Sequence, residues 1–305
     1  MAKPDITLYT TQTPNGIKIS IALEELGLPY KVHKIEISKN TQKEPWFLEI
    51  NPNGRIPALT DTFSDGRTIS LFESGSIMQY LVSRYDTEHK ISYPEGSREW
   101  YEMNNWLFFQ NAGVGPMQGQ ASTLSPSLPF PSLSFAFLSV RETEHREGLV
   151  GYRMGVLGWR RQRKAARLTG TLSDHFTRYA PEHIEYGVNR YQNETRRLYG
   201  VLNSHLSEKK IPYLTGEKCT IADIAHWGWI AAAGWCGVDI EHFPALKAWE
   251  ERMAARPAVE KGRHVPDPHT IKELLKDKEA MEKHAAESRA WVQKGMKEDA
   301  EKLKK

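Results

Sequence analysis

Asn51-Pro52-Asn53-Gly54-Arg55-Ile56-Pro57-Ala58-Leu59, followed by Leu71-Phe72-Glu73-Ser74-Gly75-Ser76-Ile77-Met78, decides the reading of this chain. Asn51 to Gly54 is a turn and Ala58-Leu59-Thr60 a short strand. Asp65-Gly66 marks a hairpin, Thr68 to Phe72 is the returning strand, and Ser74 to Tyr85 is a helix. The Ser74 hydroxyl and the first amides of that helix suit a carboxylate, because a helix start presents unpaired N–H groups and partial positive charge. Glu73 suits an ammonium. Ile56-Pro57 is expected to be cis, which turns a backbone N–H and C=O toward the same place. A carboxylate beside an ammonium is the amino-acid end of a γ-glutamyl group, which points to glutathione and to thiol chemistry.

Working outward, Ile6 to Tyr9 is a strand, Pro14-Asn15-Gly16 a turn, and Ile17 to Leu26 a helix ending at the C-cap Gly27. Tyr30 to Ile37 reads as a second strand and Pro45 to Ile50 as a short helix. The order βαβ–α–ββα describes a thioredoxin-like α/β domain over residues 1–90. Strand signals then stop. Ser97 to Asn111, Ile184 to Leu206, Ile221 to Ala233 and Pro244 to Ala255 read as helices of an all-α domain over 95–265. The charged tail 266–305 reads as a solvated helix or a disordered segment.

Residues 122–173 break this pattern. They are Ser-, Pro-, Leu- and Phe-rich, then Arg- and Gly-rich, without usable periodicity, and so long a structureless loop is uncommon in a compact domain. They carry eight Lys/Arg and three acids, a net +5, so the whole-chain +3 leaves −2 for the rest. The basic balance therefore names no nucleic-acid partner. The segment reads as an intron retained in the gene model; the alternative is a genuine loop that protrudes into solvent.

The chain has 305 residues, 26% of them charged and 39% apolar, the composition of a soluble protein of about two domains. It shows no leader pattern and no apolar span of membrane length, so cytoplasmic placement and no membrane partner are expected. The two cysteines, Cys219 and Cys236, have neither CxxC spacing nor enough partners for a structural metal site, and no metal is expected. Both read as packing residues.

Thr13-Pro14-Asn15-Gly16, the 51–59 and 72–77 stretches, and Thr220-Ile221-Ala222-Asp223-Ile224 with Trp227 and Trp229 form one set. The set resembles the glutathione transferases of the fungal class named after the yeast nitrogen regulator, whose bacterial relatives reduce disulfide bonds. The resemblance covers about residues 5–121 and 174–262. It implies the glutathione transferase architecture, a homodimer, and glutathione as co-substrate. By the same resemblance Thr13 and Asn15 lie by the glutathione sulfur, and Gln42, Arg55, Ile56, Glu73 and Ser74 hold the tripeptide. Arg190 would reach glutathione from the neighbouring subunit.

Each assignment has a plainer alternative. Asn15 can be only a helix cap, and Glu73 with Ser74 only a helix entrance. Arg190 can pair with Glu194 at i,i+4. Tyr9, inside its strand, reads as a core or interface residue. Thr220 and Asp223 form a structural capping box. Trp100, Trp106, Phe108 and Phe109 either fill the core or wall a second-substrate cleft.

The expected function is glutathione transfer, or glutathione-dependent disulfide or peroxide reduction, on a small electrophilic, disulfide or peroxide substrate, in detoxification and redox defence. The alternative is a non-catalytic regulator of nitrogen metabolism that binds a transcription factor. A third possibility is a ligandin that binds apolar compounds without turnover.

Overall fold

The computed structural model describes residues 4–122, 169–171 and 185–302. Strand β1 (Ile6–Thr10) is followed by α1 (Gly16–Leu26) and β2 (Tyr30–Lys34). Next come α2 (Pro45–Ile50), β3 (Ala58–Thr62), β4 (Thr68–Phe72) and α3 (Ser74–Tyr85). The sheet order is β2-β1-β3-β4, with β2 parallel to β1 and the other pairs antiparallel. This is a thioredoxin-like sheet, and it carries a helical half.

Alternation along β1 divides two cores. Ile6 and Leu8 join Leu59 and the buried face of α1 in the main core. Tyr9 turns to the opposite face, where it packs with Ile35, Phe47, Trp46 and Ile56. Tyr9 is thus a packing residue on the far side of the sheet. The second strand is shorter than expected: it ends at Lys34, and Ile37–Lys39 is a single 3₁₀ turn. Four of the five β2 side chains are exposed, so little apolar burial holds a longer edge strand.

The helical half contains α4 (Arg98–Phe109), α5 (Gly115–Gly119), α6 (Glu185–Lys209), α7 (Ile221–Ala231), α8 (Pro244–Ala254) and α9 (Pro257–Gly262). Short α10 (Ile271–Leu274) and α11 (Lys278–Lys302) follow, so the charged tail is helical. Every residue of α7 is buried. Its start is fixed by the Thr220–Asp223 capping box. Asp223 also accepts the Leu214 N–H and the Trp249 indole N–H, each at 2.9 Å. Burial pushes the Asp223 carboxyl up despite these donors.

Between α4 and α5 lies a π-helical turn, Gln110–Val114, where the sequence predicts only the end of a helix. After α5, Gln120–Ser122 pairs antiparallel with Thr169–Thr171, so the chain leaves and re-enters the fold at adjacent points. Apart from these paired residues, the 122–173 segment lies outside the described residues, and so does its reading as a retained intron.

Candidate functional site

The turn that precedes β3 is built from its own side chains. Asn51 Oδ1 accepts the Asn53 N–H at 3.0 Å, and Asn51 Nδ2 donates to the Arg55 carbonyl at 2.7 Å. The Ile56-Pro57 peptide is cis. Arg55, Ile56 and Pro57 are thereby presented to a cleft also lined by Asn15, Glu73, Ser74, Gln110, Asn111 and Trp229.

Glu73 stands at the entrance of α3 with φ 66° and ψ 116°, and its side chain makes no capping bond. A non-glycine residue held there costs about 1–3 kcal/mol, and such residues gather at functional sites. The plain capping alternative is therefore not what Glu73 does. Its carboxylate is exposed and acts electrostatically on both Arg55 and Lys18. Burial holds the Arg55 guanidinium below its ordinary pKa, with Glu73 opposing the shift, and Arg55 Nε is buried without a partner. Such a group fits an anion from outside the chain.

Asn15 and Thr13 divide their work. Thr13 caps α1: its hydroxyl accepts the Gly16 N–H at 3.0 Å and its carbonyl the Ile17 N–H at 3.1 Å. Pro14 then sits where a missing N–H is harmless. Asn15 makes no capping bond. Its Oδ1 accepts the indole N–H of Trp229 at 3.2 Å. An indole only donates, so the amide's orientation is chemically fixed and its NH₂ is what Asn15 offers the cleft. Trp229 is held in turn: its carbonyl accepts from Gln118 Nε2, and Gln118 Oε1 accepts from Tyr199 Oη, both at 2.7 Å. Gly228 permits this junction, since a Cβ there would lie 2.9 Å from Ile17 Cδ1 and 3.1 Å from the Pro14 carbonyl.

The remaining expected residues lie elsewhere. Gln42 is buried beneath the 51–54 turn, with its backbone carbonyl against Gly54 and its Oε1 unpartnered. Arg190 is exposed on α6, away from this cleft, and Glu194 pairs with Arg197 at 2.7 Å. Trp100, Trp106 and Phe109 pack on the core, whereas Phe108 is exposed and Trp229 is the aromatic residue of the cleft.

Sequence reading missed Lys18, Gln110 and Asn111. Lys18 Nζ donates to Ser74 Oγ at 3.2 Å and to Gln110 Oε1 at 2.5 Å. Asn111 abuts the first turn of α3, where a Cβ on Gly75 would lie 2.2 Å from its Nδ2. The π turn swings both Gln110 and Asn111 toward Ser74, a common use of such turns. A lone lysine within the run Ile17 to Leu23 was a usable signal; nothing local marked the π turn.

Both cysteines are buried, and burial pushes the Cys219 thiol up. Among the described residues no group of three or more His, Cys, Asp and Glu side chains could hold a metal ion.

Two family descriptions match: the glutathione S-transferase N-terminal domain over residues 14–84, and the C-terminal domain over 175–257. The chain is 35% identical to the glutathione S-transferase-like protein tpcF of Aspergillus fumigatus, covering 84% of this chain and 94% of that protein. It is 36% identical to the disulfide-bond oxidoreductase YfcG of Escherichia coli, with coverages of 83% and 92%. Among solved structures, a glutathione transferase homologue from Lodderomyces elongisporus, with two GSH per subunit, superposes with a TM-score of 0.66. The two are 37% identical, over 86% of this chain and 99% of that one. The chain belongs to the glutathione S-transferase family.

Proposed function

We propose that this protein is a glutathione-dependent transferase that also reduces disulfides or peroxides, with Asn15 as the residue that stabilises the glutathione thiolate. The observation that carries the reading is Asn15, oriented by Trp229, in the same cleft as Ser74, Glu73, Arg55 and the cis Ile56-Pro57. In this reading Ser74 and the first amides of α3 take the γ-glutamyl carboxylate, and Glu73 takes the ammonium. The Ile56 backbone holds the cysteinyl peptide, and Arg55, whose Nε has no partner within the described residues, takes the glycyl end. The thiol then lies by Asn15 and Thr13.

A Cys-like thiol with pKa near ~8.5 is mostly protonated at neutral pH, and each unit of lowering needs about 1.4 kcal/mol. An amide donor from Asn15 and the positive end of α1 act in that direction. The thiolate attacks one sulfur of a disulfide; that S–S bond breaks, a mixed disulfide forms, and the other sulfur leaves as a thiolate that takes a proton. A second glutathione thiolate then releases the remaining thiol and yields glutathione disulfide. With an electrophilic carbon, one C–S bond forms and the leaving group departs. No cysteine lines the cleft, so the sulfur chemistry belongs to glutathione.

We further assign a homodimer. Tyr101 and Phe108 of α4 and Tyr186 of α6 are 58%, 60% and 75% exposed, large side chains for a partner surface to cover. Arg190 shares α6 with Tyr186 and would act on the partner's glutathione. Cytoplasmic placement fits two free cysteines, and no described helix is long and apolar enough to cross a membrane.

The test is glutathione binding by calorimetry, with turnover of an aryl halide and of a small disulfide. Binding with turnover of either supports the enzyme. Binding without turnover favours the regulator or ligandin reading, and absence of binding sinks the glutathione-site assignments and with them the enzyme reading. Sedimentation of the wild type and of Arg190→Ala tests the dimer and the role of Arg190 together.

A further inference from the structure

Lys18 sits inside the buried run Ile17 to Leu23 and is only 1% exposed. A buried ammonium is costly unless an anion compensates it. Its two partners, Ser74 Oγ and Gln110 Oε1, are both neutral. Among the described residues no carboxylate reaches salt-bridge distance, and Glu73 acts on it only through space. The other charges near α1 are committed elsewhere: Glu24 pairs with Lys261 at 2.7 Å and Glu25 with Arg256 at 2.6 Å. Helix α9 meets α1 through Gly262, whose carbonyl accepts from Ser20 Oγ. Helix α7 brings His226, fully buried and neutral, whose Nδ1 contacts the Ala222 carbonyl at 2.8 Å. Strand β1 ends nearby with the uncharged Thr10.

The ammonium thus lies directly behind Ser74 with no counter-ion of its own. Because Lys18 donates to Ser74 Oγ, the Ser74 hydroxyl hydrogen is free to donate outward to a ligand. We propose that Lys18 is the positioning charge of the γ-glutamyl carboxylate site, acting through Ser74 and Gln110, and that the ligand carboxylate supplies its missing counter-ion. This rests on the glutathione reading above. It adds a role for a residue that does not line the cleft.

Burial pulls the Lys18 pKa down to about 7, with Glu73 opposing the shift. In the free protein near pH 7.5 the ammonium is therefore only partly charged. A carboxylate placed before Ser74 favours the charged form, so ligand binding draws a proton into the protein. The proton comes from solvent, and no covalent bond changes.

The experiment is calorimetry with S-methylglutathione, which has no thiol proton to lose, in buffers of different ionisation enthalpy from pH 6 to 8.5. The wild type is expected to take up about half a proton or more at pH 7.5, and much less at pH 6, where Lys18 is already charged. Lys18→Met is expected to bind at least about 10-fold more weakly, a charge-assisted hydrogen bond being lost, and to take up none. Wild type should also discriminate against the analogue in which the glutamyl α-carboxylate is an amide, and Lys18→Met should not. Binding by wild type without proton uptake overturns the proposal, as does Lys18→Met binding within twofold of wild type with the uptake intact. The wild-type measurement decides even if the variant does not fold. If wild type binds no S-methylglutathione, the glutathione reading fails first and takes this inference with it.

Discussion

Trp229 donates its indole N–H to Asn15 Oδ1 at 3.2 Å, tying the start of α1 to the last turn of the fully buried α7. The bond turns a helical-half residue into part of the proposed thiolate site. Trp229→Phe keeps the ring and removes the donor. It is expected to lower kcat roughly 5- to 10-fold, the worth of about 1 kcal/mol, with KM for glutathione little changed. Steady-state kinetics read this directly; an unchanged kcat would mean that Asn15 needs no such support.

Asn15→Ala removes the donor itself. By analogy with single oxyanion donors, kcat is expected to fall about 100-fold, and the thiol pKa of bound glutathione to rise. Thiolate absorbance in the ultraviolet against pH gives that pKa. Glutathione affinity measured with the S-methyl analogue should hardly change.

Gly228→Ala places a Cβ against Ile17 and the Pro14 carbonyl. Overpacking of this kind costs about 1–3 kcal/mol. The expected result is a lower urea midpoint together with a loss of kcat, because the same contact sets the distance between Trp229 and Asn15.

Asp223→Ala strips acceptors from the Thr220 N–H, the Leu214 N–H and the Trp249 indole, all buried. Orphaning buried donors costs about 1–3 kcal/mol each, so a loss of about 4 kcal/mol is expected. Denaturant unfolding measures it, and near-wild-type stability would show that water replaces the carboxylate.

Burial holds His226 at a pKa of about 3 against an ordinary 6.5. Between these values the unfolded chain binds a proton that the native chain does not. Stability is therefore expected to fall as pH drops from 6.5 toward 3, by about 1.4 kcal/mol per pH unit for this group. His226→Asn should flatten that slope by one proton in stability measurements from pH 4 to 7. A slope equal to that of wild type would mean that His226 is charged when folded.

The strands, the helix from Ser74 and the cis Ile56-Pro57 were legible because each rests on local chemistry. Alternation in Ile6 to Thr10, turn residues at Asn51 to Gly54 and a helix start at Ser74 act over a few residues. The expectation of a glutathione site rested on the same stretch, and Arg55, Ile56, Glu73 and Ser74 do line one cleft. The alternative that Asn15 is only the cap of α1 falls away: it is Thr13, and not Asn15, whose side chain meets the helix amides. Pro14 makes both readings reasonable locally, and only the indole of Trp229, 214 residues away, removes Asn15 from the cap.

By itself, then, the sequence determined the sheet-plus-helices fold and the group of residues around Ser74, since short-range propensity and spacing dictate both. Tertiary structure alone decided which groups support them. Lys18 became a buried cation because α1, α3 and the π turn close over it. Gln110 and Asn111 entered the cleft because one extra residue in that turn rotates the helix, which no local pattern of apolar residues records.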